Sequence, residues 1–134
     1  MRAFVITEPH IGSVVEVNEP IIGEQDLLVE IERVGICGTD VEFFKGDMPY
    51  LHSGHAQYPL QLGHEWCGQV IDIGPQVDEK WRGKFITGDT MLGCQRCDRC
   101  ISGYQYLCHD RNEVGIRNGY PGALAERLVI PEFA

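Results

Sequence analysis

Four thiols crowd one short stretch of this chain. GCQRCDRCISGYQYLC, beginning at Gly93, places Cys94, Cys97, Cys100 and Cys108 in a C-x2-C-x2-C-x7-C array, and only two other cysteines occur. A closed structural zinc site needs four soft, deprotonated ligands in a tetrahedron, and cysteines at short spacings in turns supply them. Iron–sulfur clusters use thiolates at similar spacing, but the x2, x2, x3 run closed by proline is not met here. A thioredoxin-type redox pair would leave two of the four without a task. The spacing favours zinc, with Gly93, Gly103 and charged residues between the thiols suiting a surface lobe built around a metal.

A second group is more dispersed. Cys37 in GICGTD and the His64-Glu65 pair in LGHEWCG are each weak alone, since a lone cysteine is commonly an inert core residue. Together they offer a thiolate, an imidazole and a carboxylate, the mixed set of catalytic zinc sites that keep one position open. Asp40, three residues after Cys37, is placed to orient the histidine from behind. Cys67 reads as core, and His52 and His55 as loop residues.

These residues must be positioned by short strands. RAFVIT and SVVEVNEP read as a hairpin around Gly12, and DLLVEIERVGIC, GQVIDIGP and LAERLVIP as further strands, the last two closed by Gly-Pro or Pro. GTDVEFFKG reads as a short helix capped by Thr39 or Asp40, with Phe43 and Phe44 turned inward. Residues 45–58 lack periodicity and read as a loop. The expectation is an all-β or β-rich barrel with one cysteine-rich excursion.

The 134 residues suffice for one domain with a real core. A net charge of −9 counts against a phosphate-binding surface and hence against nucleic-acid partners. No apolar run is long enough to span a bilayer. The first residues alternate and reach a proline too early for an export signal, so a reducing cytoplasmic setting with free thiols is expected.

VGICGTD, LGHEWCGQVIDIG, Gly88-Asp89, the four-cysteine segment and GALAERLVIP together cover nearly the whole chain. In this order and spacing they resemble the N-terminal catalytic domain of the zinc-dependent medium-chain alcohol and polyol dehydrogenases, which include threonine, sorbitol and sugar dehydrogenases. The resemblance implies a mainly β, GroES-like barrel with short helices over residues 1–134. It also implies a zinc lobe at about 93–110 and a Rossmann nucleotide-binding domain absent from this stretch. It implies that Cys37 and His64 hold a catalytic zinc and that Glu65 is the adjacent carboxylate, while Thr39 matches the hydroxyl that relays the substrate proton. NAD or NADP, a small alcohol, polyol or sugar substrate, and a homo-oligomer (dimer or tetramer) are implied in the same way.

Two departures matter. Five positions after the zinc cysteine many members carry a proton-relaying histidine; here Glu42 stands, as in some sugar dehydrogenases. The family's third catalytic ligand lies past residue 134, and no G-x-G-x-x-G follows a strand, so these residues alone are expected to be inactive. The rival readings are a zinc-ribbon interaction module and a chaperonin-like structural barrel. Neither gives both metal-ligand groups a purpose.

Overall fold

A computed structural model describes all 134 residues. The chain opens with an antiparallel hairpin, β1 (Arg2–Glu8) and β2 (Ile11–Glu16). Its turn falls at Pro9-His10, with His10 at φ 66°, while Gly12 is already in β2. β1 also pairs with the short β4 (Leu60–Gln61). The second sheet is built on β3 (Asp26–Gly35), flanked by β5 (Glu65–Ile73) and β9 (Arg127–Pro131), with β6 (Phe85–Ile86) outside β5. The approach to β9 runs beside β1 through the Ala3–Ala125 bridge, and the Phe4 amide donates to the Leu124 carbonyl at 2.7 Å. Two sheets thus join along one side into a β-barrel-like shell, which blunts the open edges that strands otherwise expose.

The core follows from alternation. In β3, Leu27 and Val29 point inward; in β5, Trp66 and Val70; in β9, Leu128 and Ile130; all are buried together. The same alternation turns Cys67 outward, so it is exposed rather than core. A second cluster, Ile6, Phe43, Leu60, Leu62 and Ile116, sits where the first sheet meets the helices.

Helix α1 (Gly38–Lys45) forms where GTDVEFFK was read as helical, but its N-cap is Cys37, not Thr39 or Asp40. Phe43 is fully buried and Phe44 partly so. The aperiodic stretch after it contains one more short helix, α2 (Pro49–Ser53), started by Pro49 at a position where the missing N–H costs nothing. No helix is long and apolar enough to cross a membrane.

Candidate metal centres and their neighbours

The four-cysteine lobe leaves the shell between β7 (Met91–Leu92) and β8 (Asn112–Glu113), which pair antiparallel and close its base. Cys94 lies in the entering turn, Cys97 caps helix α3 (Asp98–Ile101), Cys100 is inside it, and Cys108 follows a 3-10 turn over Gln105–Leu107. All four sulfurs come within 4.8 Å of one another. Cys94 Sγ to Cys100 Sγ is 4.0 Å and Cys97 Sγ to Cys108 Sγ is 3.9 Å. A tetrahedral zinc with Zn–S of about 2.3 Å puts its sulfurs about 3.8 Å apart. Disulfides would need about 2.05 Å, and all six cysteines are free. A Cβ at Gly93 would sit 2.7 Å from Cys100 Sγ, so the bare glycine leaves room for that sulfur. Backbone N–H groups of Arg96 and Cys97 pull the Cys94 thiol down to about 6, whereas burial pushes Cys100 up to about 12. A metal taking up all four as thiolates would therefore displace protons. The lobe fits zinc.

The second centre is set by one helix start. Cys37 Sγ accepts the Thr39 amide at 3.3 Å, and the Asp40 carboxylate accepts the Cys37 amide at 2.9 Å, a reciprocal cap. The turn that holds the thiol at the mouth of α1 thus also buries Asp40 beneath it. His64 arrives from the start of β5. Gly63, at φ 103°, has no space for a Cβ, which would lie 2.5 Å from the Leu124 amide, and the Thr90 hydroxyl donates to the His64 carbonyl at 3.0 Å. The imidazole then lies between two partners, with Nε2 3.0 Å from Cys37 Sγ and Nδ1 3.5 Å from Asp40 Oδ1.

Asp40 Oδ1 and His64 Nδ1 are buried, and their mutual contact is too long for a good hydrogen bond, which leaves both otherwise unpartnered. Cys37, Asp40 and His64 form a group whose candidate ligand atoms all lie within 4.8 Å. A carboxylate behind the ring with a thiol before it is the arrangement that fixes a metal-binding histidine. Sulfur and nitrogen on one tetrahedral zinc stand about 3.6 Å apart, so an ion would widen the 3.0 Å contact by about half an ångström. Without metal, the Asp40 carboxylate, aided by Cys37, raises His64 to about 9 against the opposing effect of burial. Asp40 itself is lowered: burial pushes it up, but the nearby His64 ring and the bond from the Cys37 amide outweigh that.

Glu65 does not join this group. It follows His64 in extended backbone, so it projects to the opposite side, is exposed, and lays its carboxylate against Gly35, its register partner on β3. Thr39 is half-buried in the first turn of α1, and Glu42, exposed three residues on, shares its face. One buried polar cluster had no sequence signal: Arg111, Glu113 and Tyr50 meet under the lobe. An Arg-x-Glu pair beside the last cysteine is indistinguishable in sequence from solvated charges.

Residues 23–134 match the alcohol dehydrogenase GroES-like domain family. The L-threonine 3-dehydrogenase of Cutibacterium acnes is 39% identical over 98% of this chain and 37% of its own length. Among solved structures, alcohol dehydrogenase TADH from Thermus sp. ATN1 superposes with a TM-score of 0.84 at 30% identity, over 98% of this chain and 37% of that one. A protein from Sinorhizobium meliloti 1021 provisionally assigned as a zinc-binding dehydrogenase, solved with NADP, gives a TM-score of 0.82 at 35% identity, over 97% and 36%. The chain therefore spans little more than a third of the length of these relatives. The family match, the shell and the two clusters of candidate ligands agree: the chain belongs to the alcohol dehydrogenase GroES-like domain family.

Proposed function

We propose that this chain is the catalytic domain of a zinc-dependent dehydrogenase that moves hydride between a small alcohol, polyol or sugar and NAD or NADP. The observation that carries the reading is the imidazole of His64, held between Cys37 Sγ at 3.0 Å and Asp40 at 3.5 Å. Zinc bound there supplies a Lewis acid that lowers the pKa of a substrate hydroxyl, and a nicotinamide supplies the hydride acceptor. Cys37 and His64 serve as ligands, and Asp40 orients the ring. Thr39, half-buried two residues from Cys37, takes the hydroxyl proton, and Glu42 on the same face of α1 passes it to solvent. Glu65, on the far side of the strand from His64, is not a ligand in this arrangement. The lobe holds a second, structural zinc through Cys94, Cys97, Cys100 and Cys108. A reducing, cytoplasmic setting would keep these thiols available to the metal.

Metal content tests the reading. The chain should take up one zinc tightly in the lobe and a second more weakly, and His64→Ala should lose only the second. A single zinc unaffected by His64→Ala would favour an interaction module, and none a purely structural barrel. In a full-length form that includes a nucleotide-binding domain, Cys37→Ala should abolish turnover and leave NAD(P) affinity unchanged.

A further inference from the structure

Arg111 gives each nitrogen of its guanidinium a different partner. Nε donates to Glu113 Oε1 at 2.7 Å, Nη1 to the Cys108 carbonyl at 3.0 Å, and Nη2 to the Tyr50 hydroxyl at 3.2 Å. The Tyr50 hydroxyl donates in turn to the same Glu113 oxygen at 3.3 Å. The Glu113 side chain is 4% exposed and that of Arg111 17%. A buried charge pair is retained only when further hydrogen bonds offset its desolvation, and here the Cys108 carbonyl and the Tyr50 hydroxyl supply them, so that three separate parts of the fold meet at Arg111. Cys108 carries the last thiol of the lobe, Glu113 lies in β8, and Tyr50 belongs to α2, 61 residues earlier than Arg111.

Tyr50 also organises the α2 segment. Tyr50 accepts the His55 and Ala56 amides on its own carbonyl, at 3.0 and 3.1 Å. With Met48 and Leu51 it packs on the cluster that holds Phe43 of α1, the helix whose first turn presents Cys37. We propose that Arg111 is a positioning residue that couples metal occupancy of the four-cysteine lobe to the order of the α2 segment. Metal on Cys108 Sγ fixes the backbone that aims the Cys108 carbonyl at Nη1. The planar guanidinium is a rigid fork, so anchoring one prong holds the other two in register with Glu113 and Tyr50. Without the metal that anchor is lost, and the grip on Tyr50 loosens.

The inference rests on the lobe binding metal, and the experiment separates the two. Amide hydrogen exchange is compared in zinc-loaded and chelator-stripped chain, for wild type, Tyr50→Phe and Arg111→Lys. In wild type, stripping should accelerate the Leu51, His55 and Ala56 amides by about ten- to a hundredfold, the scale of one charge-assisted hydrogen bond. In Tyr50→Phe, which keeps the ring and the Arg111–Glu113 pair, these amides should be fast with zinc present and indifferent to its removal, while the lobe still responds. Arg111→Lys, a point charge without the fork, should behave likewise. A wild-type lobe that opens on stripping while the three amides stay slow overturns the coupling, as does a Tyr50→Phe variant with the full response. A wild-type chain that takes up no zinc overturns the lobe reading and the coupling with it.

Discussion

Asp40→Asn isolates the charge behind His64, because asparagine keeps an oxygen for the Cys37 amide and so preserves the cap on α1. Asp40 Oδ1 is 3.5 Å from His64 Nδ1, and both side chains are nearly inaccessible, at 5% and 10% exposure. In the metal-free protein the imidazole is raised from 6.5 to about 9, with Asp40 the leading cause. A rise of that size, at about 1.4 kcal/mol per tenfold, is worth about 3 kcal/mol of stability. Because the folded value lies above the unfolded one, this contribution is fully present below about pH 6.5 and fades as pH climbs through about 9. The variant should therefore melt on the order of 10 °C below wild type near pH 6, with the gap closing by about pH 10. Chelator-treated wild type and variant are compared by thermal unfolding across this range, and the His64 ring is followed directly by NMR titration, where the variant should titrate at or below the ordinary histidine value. A stability gap that stays constant with pH, or a His64 titration unmoved by the substitution, would refute the electrostatic account.

Cys100→Ser should cost the lobe its metal, lowering zinc content by one per chain and exposing residues 93–110 to limited proteolysis, because metal binding is part of the lobe's folding free energy; an equally protected lobe would count against it. Phe43→Ala should destabilise by about 3–5 kcal/mol in urea unfolding, since Phe43 is fully buried where α1 meets the first sheet. Gly63→Ala should weaken zinc retention by the Cys37–His64 pair more than by the lobe, as the added Cβ displaces the turn that delivers His64. The 134 residues by themselves should show no measurable NAD(P) binding by calorimetry and no dinucleotide reduction with any alcohol, since they hold no glycine-rich phosphate turn at a helix N-terminus.

The lobe was legible because its information is local. Four cysteines within fifteen positions leave little freedom once a tetrahedral ion is placed among them, and the sulfurs do gather. The strands at 26–35 and 65–73 were legible for a similar reason, period-two alternation ending at glycine or proline. Alternation without its phase was less informative. Cys67 looked like core, but the inward positions of β5 are Trp66, Gly68 and Val70, and a shift of one residue exposes it. The same phase rule separates Glu65 from His64. The cap of α1 is not legible in the sequence because cysteine is not among the usual N-cap residues, nor is α2, because five residues are too few to show a helical period.

The sequence by itself therefore determined residue types, short-range spacings and the order of the motifs, enough to specify the lobe and to nominate Cys37, Asp40 and His64 as partners. Only the tertiary structure decided that His64 faces Cys37 with one nitrogen and Asp40 with the other, that Glu65 is turned away, and that Arg111 joins Cys108 to Tyr50. Those relations link residues 27 and 61 positions apart. They depend on strand register, on a left-handed glycine before His64 and on desolvation beneath the lobe, quantities that exist only once distant segments have packed.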